Sequence, residues 1–147
     1  MTTASTLLRE QGLRVTAARV AALDVLDTAA HLSTDEIATA VRERIGSVSV
    51  QATYHLLDAL TAAGLVHRVD LAGFPARYER RATAHHHLAC RGCGHLVDVD
   101  CSAEDGPCVH LADRQGFAVE RAEVIFWGLC PQCRTDTATG REPAAAP

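Results

Sequence analysis

The chain has 147 residues, a formal net charge of −4 and 48% hydrophobic residues. These values fit one domain or two small ones, and they disfavour a nucleic-acid binder that works through bulk positive charge. The N-terminal segment lacks an apolar run with a cleavage site, and no stretch approaches the ~20 apolar residues of a membrane span. We therefore expect a cytoplasmic protein without a membrane partner. In that compartment six cysteines indicate metal or redox chemistry rather than disulfides.

Three helices are predicted in the first half of the chain. Thr16 is a suitable N-cap for a helix over 17–30, and Ser33 opens a capping box for a helix that ends near Arg44. Ser49 caps a third helix that ends near Ala63, before Gly64. The order helix, short turn, helix is typical of a helix-turn-helix.

The third helix is predicted to have two different faces, and a β-hairpin is expected after it. One face is polar and carries Gln51, Tyr54, His55 and Asp58. The opposite face is apolar and carries Ala52, Leu56, Ala59, Leu60 and Ala63. Two short strands, 65–70 and 76–81, flank a Gly-Phe-Pro turn at 73–75. Residues 1–82 are therefore predicted to form a winged helix-turn-helix domain.

The second half is predicted to be a small α/β domain over residues 83–134. Short strands over 87–89 and 96–99 flank a turn between Cys90 and Cys93, and an apolar strand over 118–127 leads to Cys130. A short helix is expected over 105–116. The whole chain is thus an α+β protein, and the polar, then Pro- and Ala-rich residues 135–147 are expected to be a disordered tail.

Two Cys-x-x-Cys pairs bracket this second domain. Each pair spans a tight turn, and four thiolates are the ligand set of a tetrahedral structural Zn²⁺ with no open coordination position. The alternative is two reduced dithiols without metal. We expect zinc on all four residues: Cys90, Cys93, Cys130 and Cys133.

Three adjacent histidines precede the first cysteine pair. On a strand, His85 and His87 point to the same side and His86 to the other. Asp98 lies on the strand that returns from the cysteine turn and is expected near the same cavity. Imidazoles combined with carboxylates suit Fe²⁺, Mn²⁺ or Zn²⁺. The alternative is a surface histidine tract with incidental metal affinity.

Cys101 and Cys108 belong to neither cysteine pair. The simplest interpretation is two reduced thiols, and the functional alternative is a redox pair or a weak metal site with His110. A sensor thiol needs a lowered pKa and solvent exposure. The sequence shows neither property.

Five motifs in combination resemble the Fur family of bacterial metal-dependent repressors. The resemblance extends from about residue 5 to residue 134, and the motifs read GLRVTAAR at 12–19, AHLSTDEI at 30–37, SVQATY at 49–54, HHHLACRGCG at 85–94 and CPQC at 130–133. Within the family, segments 48–52, 98–101 and 127–130 are most similar to the FurA/CatR branch of GC-rich bacteria, which controls catalase-peroxidase genes. The resemblance implies a winged-helix DNA-binding domain, a dimerisation domain and a homodimer on a palindromic, AT-rich operator in double-stranded DNA.

The resemblance also implies two kinds of metal site. Structural Zn²⁺ is implied on the four cysteines, and a regulatory Fe²⁺ or Mn²⁺ is implied at the hinge between the domains. An ion held by both domains would select the conformer whose recognition helices match adjacent major grooves. The implied regulatory ligands are His31, Glu79, His85, His87 and Asp98.

Contacts with DNA are implied for the loop before the first predicted helix and for the polar face of the third. Arg14 is expected in the minor groove, Arg19 at a phosphate and Tyr54 against a thymine methyl group. The implied set is Arg14, Arg19, Gln51, Thr53, Tyr54 and His55. Because residues 52, 53 and 55 differ from those common in relatives, the operator sequence is not expected to be the same.

The ligand positions depart from the family pattern in an informative way. At the position of Glu79, peroxide sensors of the family usually carry Asp and iron sensors usually carry Glu, so Glu79 matches the iron sensors. Asp98, by contrast, matches the peroxide sensors. A third metal site of many relatives would fall on Ala84, His86, Asp105 and Ala122. Since alanine offers no ligand atom, that site is expected to be missing.

The sequence therefore predicts a repressor, not an enzyme. The first hypothesis is a peroxide sensor in which iron-dependent oxidation of His31 or His85 releases DNA and induces catalase-peroxidase type genes. The alternative is a repressor that responds to iron availability. A zinc enzyme is a remote alternative, because neither H-x-E nor H-E-x-x-H occurs in the chain.

Overall fold

The computed structural model describes residues 2–80, 85–100, 113–119 and 122–139. The chain divides into two compact units, residues 1–82 and 83–147. Among the helices of the described ranges, none is long and apolar enough to cross a membrane.

Four helices, each opened by a hydroxyl cap, build the first unit. They are α1 (Ala4–Glu10), α2 (Ala17–Thr28), α3 (Thr34–Ile45) and α4 (Val50–Ala62). In each case a Thr or Ser oxygen accepts a backbone N–H three residues later, as the sequence predicts for Thr16, Ser33 and Ser49. The α1 helix, capped by Thr3, has no counterpart among the predicted elements. α2 ends two residues before the predicted limit, because Ala29 is already extended.

The helices enclose one apolar core. Leu23, Ile37, Leu57 and Leu60 have no exposed surface, and burial of such a side chain contributes about 1.5–3 kcal/mol. The cluster draws on all four helices and on the segment that follows them: Ala4, Leu8, Ala21, Ala22, Leu23, Val25, Leu26, Ile37, Val41, Leu56, Leu57, Leu60, Val66 and Tyr78.

A short hairpin follows the helices. Strand β1 (His67–Val69) pairs antiparallel with β2 (Arg77–Glu79), and Gly73 supplies a positive φ of 82° in the turn between them. On its other side β2 pairs with Leu32, from the connection between α2 and α3. Leu32 N–H donates to the Tyr78 carbonyl at 3.2 Å, and Tyr78 N–H donates to the Leu32 carbonyl at 2.8 Å. The strands are shorter than predicted, but the winged helix-turn-helix architecture is confirmed.

The second unit contains a three-stranded sheet and one helix. Strands β3 (His86–Cys90), β4 (Leu96–Val99) and β5 (Ile125–Gly128) lie in the order β4-β3-β5, and α5 spans Pro131–Ala138. β3 is antiparallel to β4 and parallel to β5. Helices and sheets in one chain confirm the predicted α+β class.

Three predictions for the second half need correction. The predicted strand 118–127 is reduced to Ile125–Gly128. The predicted helix 105–116 is wrong only for residues 113–116, which form a turn in which Asp113 Oδ1 accepts the Gln115 N–H, and residues 105–112 lie outside the described ranges. Disorder from residue 135 is wrong for residues 135–138, because Cys130 caps α5 and Pro131 at its start favours the helix. Residues 140–147 lie outside the described ranges.

Candidate metal centres and DNA-facing helix

The four predicted zinc ligands form one cluster. Cys90 ends β3, Cys93 lies in the following turn, and Cys130 and Cys133 lie at the start of α5. All four sulfurs are within 4.8 Å of one another, and the Cys93 and Cys130 sulfurs are 3.8 Å apart. A tetrahedral ion with metal–sulfur bonds of about 2.3 Å has ligand edges of about 3.8 Å, which the Cys93–Cys130 distance matches, so the cluster is of the right size for zinc.

Backbone N–H groups point at two of these sulfurs. Cys90 Sγ accepts from the N–H of Cys130 at 3.2 Å and of Gly92 at 3.4 Å, and Cys130 Sγ accepts from Cys133 N–H at 3.4 Å. The turn is closed by Gly94, which has a φ of +73° and donates its N–H to the Cys90 carbonyl. This pattern of donors favours thiolates over thiols.

The thiols differ in their ease of ionisation. Burial opposes ionisation of Cys90, but the N–H groups of Cys130, Cys93 and Gly92 outweigh it and lower the pKa of Cys90 to about 6. Burial and the neighbouring thiols raise the pKa of Cys133 to about 12. Burial also raises the pKa of Cys93. Cys90 is therefore easier to ionise than Cys93 and Cys133, and binding an ion has to displace the protons of the latter two.

The first unit holds two of the five predicted regulatory ligands. His31 Nε2 lies 2.9 Å from Glu79 Oε2, and only 1% of the Glu79 side chain is exposed. The two residues flank the Leu32–Tyr78 bridge on the same side, so pairing of the backbone brings the side chains together. His31 has a φ of +61°, a conformation that residues other than glycine seldom adopt.

The second unit holds the other three. His87 on β3 is paired in register with Asp98 on β4. The Nε2 atoms of His85 and His87 are 3.2 Å apart, and they lie 3.5 and 3.6 Å from Asp98 Oδ1. Two ligand atoms of a tetrahedral ion with bonds of about 2.1 Å are roughly 3.4 Å apart. The side chains of His85 and His87 are only 7% and 2% exposed, which contradicts a surface histidine tract for these two. This set fits one divalent ion.

The polar face of α4 is presented to solvent, with one correction. Gln51, Tyr54 and His55 are exposed, and Gln51 Nε2 lies 3.1 Å from His55 Nε2. Thr53 is fully buried and donates its hydroxyl to the Ser49 carbonyl at 2.9 Å, so it is not on the exposed face and the expected DNA contact is wrong for this conformation. Ala52, predicted on the apolar side, is exposed.

The two predicted DNA-contacting arginines lie close together at the start of α2. Arg14 is exposed, and Arg19 Nη1 donates to the Arg14 carbonyl at 2.8 Å. Arg19 thus fixes the backbone that carries Arg14. Cys101 and Cys108, the expected redox candidates, lie outside the described residues.

The sequence did not predict two ion pairs formed by residues that flank His31 and Glu79 along the chain. Arg77 Nη1 donates to Glu36 Oε2 at 3.0 Å, and Arg80 Nη1 donates to Asp27 Oδ2 at 2.8 Å. The capping motif identifies Glu36, but nothing local in the sequence indicates its partner on β2.

The sequence model of the Ferric uptake regulator family matches residues 10–127. The chain belongs to the ferric uptake regulator family. Individual members are similar to this chain over at least three quarters of their length. Transcriptional regulator FurA of Mycobacterium tuberculosis (strain ATCC 25618 / H37Rv) is 46% identical over 137 residues, which are 92% of this chain and 93% of FurA. Ferric uptake regulation protein 1 of Mycolicibacterium fortuitum is 48% identical over 122 residues, 82% of this chain and 76% of that protein.

More distant members of the ferric uptake regulator family are also similar. The peroxide operon regulator of Bacillus subtilis (strain 168) is 29% identical over 86% of this chain and 88% of its own length. The structure of the ferric uptake regulator from Pseudomonas aeruginosa with manganese has a TM-score of 0.69 and 29% identity over 87% of this chain and 98% of that chain. Membership confirms the predicted resemblance: the chain is a metal-dependent transcriptional regulator of this family and not an enzyme.

Proposed function

We propose that the protein is a cytoplasmic, homodimeric repressor whose affinity for DNA depends on one divalent ion bound by residues of both units. His31 and Glu79 supply ligands from the first unit, and His85, His87 and Asp98 supply them from the second. The observation that carries this proposal is that each unit already gathers its own ligands within 3.6 Å of one another. A shared ion then restricts the relative orientation of the units, which selects the DNA-binding conformer.

The DNA-facing surface of this proposal consists of Arg14, Gln51, Tyr54 and His55, with Arg19 as a support. These side chains lie at the start of α2 and on the exposed face of α4. A helix with an exposed polar face after a helix-turn is the element that enters the major groove. A homodimer presents two such helices to a palindromic, AT-rich operator.

We further propose that Zn²⁺ on the four cysteines is structural. Four thiolates leave no coordination position open for a reactant. The tie between β3 and α5 instead stabilises the unit that carries His85, His87 and Asp98. This assignment separates the two metals by function as well as by ligand chemistry.

The test of the hinge proposal compares two neighbouring histidines of one strand. His87→Ala removes a ligand, whereas His86→Ala changes the opposite face of β3, where the ring contacts Phe126. Operator binding is measured by fluorescence anisotropy with increasing Mn²⁺. We expect His86→Ala to keep the metal response and His87→Ala to lose it. An unchanged response in His87→Ala would refute the proposal.

The signal that we propose is peroxide, through oxidation of a ligand histidine. Fe²⁺ supplies the redox chemistry when bound, and the net change is that a ring C–H of His31 or His85 and H₂O₂ become a ring C–OH and H₂O. The oxidised ring binds the metal poorly, so the repressor dissociates from its operator and catalase-peroxidase type genes are expressed. The similarity to the peroxide operon regulator of Bacillus subtilis supports this signal.

Iron availability is the competing signal, and Glu79 favours it. Mass spectrometry of the Fe²⁺-loaded protein after low peroxide should show one added oxygen on a peptide with His31 or His85, together with loss of operator binding. If a chelator releases DNA but peroxide neither releases it nor modifies these peptides, iron availability is the signal. If peroxide releases DNA without modifying them, histidine oxidation is the wrong mechanism, and Cys101 and Cys108 become the candidates.

A further inference from the structure

Arg77 and Arg80 lie on either side of Glu79 and link strand β2 to the ends of helices α3 and α2. Arg77 reaches Glu36 in the first turn of α3 at 3.0 Å, and Arg80 reaches Asp27 in the last turn of α2 at 2.8 Å. Asp27 and Glu36 bracket the connection between α2 and α3, which carries His31. Strand β2, which carries Glu79, is therefore linked to both ends of the α2–α3 connection, which carries His31.

The backbone between these ion pairs is arranged as a short ladder. Leu32 pairs with Tyr78 through two hydrogen bonds, which sets His31 beside Glu79 and Ser33 beside Arg77. The positive φ of His31 is uncommon for a residue with a side chain and persists where the surroundings impose it. The ladder and the two helix ends are the surroundings that do so.

One carboxylate oxygen joins the helix cap to the ladder. Glu36 Oε2 accepts the Ser33 N–H at 2.7 Å and the Arg77 guanidinium at 3.0 Å. The side chains of Arg77 and Arg80 are only 19% and 17% exposed, whereas those of Glu36 and Asp27 are 55% and 52% exposed. Hydrogen-bonded ion pairs in which the arginine is largely buried hold their geometry better than pairs in which both side chains are exposed.

We propose that Arg77 and Arg80, acting through Glu36 and Asp27, are positioning residues that hold His31 beside Glu79 before the regulatory ion binds. This inference rests on the proposed function, because it concerns the first-unit half of the same site. Ligands that are held in place in advance bind an ion more tightly, since less ordering remains to be done on binding.

The experiment measures Mn²⁺ affinity of the full-length, zinc-loaded protein by calorimetry. Arg77→Met should weaken Mn²⁺ binding about tenfold, the lower end of the range for partners of metal ligands. Glu36→Gln keeps an acceptor for Ser33 but loses the charge, and should weaken binding in the same direction. Arg77→Lys should recover part of the loss. The matched control is Arg44→Met, which removes a looser pair with Asp24 (4.0 Å) near the opposite end of α3 and should leave affinity within about twofold of wild type.

A second readout separates positioning from general destabilisation. In the zinc-loaded protein without Mn²⁺, Arg77→Met should speed hydrogen exchange of the Leu32 amide, while Arg44→Met should not. In a His31→Ala background, Arg77→Met should have no further effect on Mn²⁺ affinity, because the ligand that it positions is gone.

The outcomes distinguish the inference from the proposed function. If His31→Ala itself leaves Mn²⁺ affinity unchanged, the hinge proposal fails and the inference fails with it. If His31→Ala weakens binding but Arg77→Met and Glu36→Gln do not, only the positioning role is refuted. An equal loss from Arg77→Met with and without His31 also refutes it. Glu36→Gln keeps the test decisive if Arg77→Met does not fold.

Discussion

Replacing Cys93 by alanine is the sharpest test of the four-cysteine cluster. Cys93 is exposed, whereas Cys90 and Cys133 are buried, so its removal disturbs packing least. An exposed substitution that touches no special feature changes the free energy of unfolding by about 0.5 kcal/mol or less. A much larger effect at this position therefore has to come from a lost metal ligand.

The expected magnitude follows from how little else stabilises the second unit. Among its described residues, the buried hydrophobic side chains are Ala89, Cys90, Leu96 and Cys133. A fully buried leucine contributes about 1.5–3 kcal/mol, whereas structural zinc contributes about 10–16 kcal/mol of apparent binding energy in zinc-finger peptides. We expect Cys93→Ala to lose the zinc and to unfold the second unit, while the first unit keeps its separate core.

The assay is hydrogen exchange with mass spectrometry, together with zinc analysis. Amides of β3 and its turn, such as those of Cys90, Arg91 and Gly94, should lose protection, and those of α2 and α3 should keep it. Arg91→Ala, an exposed change in the same turn, is the control and should behave as wild type. Retention of one zinc per chain with full protection of β3 in Cys93→Ala would refute the assignment of this cluster.

Three further predictions concern the first unit. Leu57→Ala should lower the free energy of unfolding by about 2–5 kcal/mol in urea titrations, because its side chain is fully buried; a cost below about 1 kcal/mol would contradict the described core. Thr53→Val should leave operator affinity within twofold of wild type while Gln51→Ala weakens it in the same gel-shift assay, and the reverse order would restore Thr53 as a contact. Burial opposes ionisation of Glu36, but hydrogen bonds from Ser33 and the charge of Arg77 outweigh it and lower its pKa. A lowered carboxyl pKa stabilises the fold above the unfolded value of about 4.3 and ceases to do so as the pH falls through the folded value. The difference in unfolding free energy between wild type and Glu36→Gln should thus be constant above about pH 5 and vanish at lower pH, and a difference that grows on acidification would contradict the assigned contacts.

Helix starts in this chain could be predicted because the signals are local. An N-cap needs one hydroxyl and a free N–H three residues later, and Thr16, Ser33 and Ser49 provide this within four residues of sequence. α1 escaped prediction because it has seven residues and buries only Ala4 and Leu8, too few to show a helical period.

The error at Thr53 has a physical cause. A threonine in a helix can donate its hydroxyl to the carbonyl four residues earlier, which satisfies its polar atom and permits full burial. Thr53 does this with Ser49. The DNA contact of Thr53 was implied by the family resemblance and not by the helical pattern, and this buried hydroxyl does not support it.

The candidate ligands of the regulatory ion could be identified from the sequence, but the contacts that bring them together could not. Resemblance to a family identified His31 and Glu79, and alternation along a strand identified His85 and His87. The Leu32–Tyr78 bridge and the Arg77–Glu36 pair join residues more than 40 positions apart. Contacts between residues so far apart produce no periodic pattern in the sequence. The contacts that hold His31 beside Glu79 could therefore be identified only from the structure.

The parallel pairing of β3 with β5 has a consequence for how this chain tolerates change. Val99 at the end of β4 stands opposite His86, and Ile125 at the start of β5 stands opposite His87, so the two ends of the connection between β4 and β5 lie at the same end of the sheet. When the ends of a connection are held together, doubling its number of residues costs only about 0.6 kcal/mol of loop-closure free energy. Insertions and deletions between β4 and β5 should therefore accumulate in natural variants, while the spacing inside each cysteine pair stays fixed.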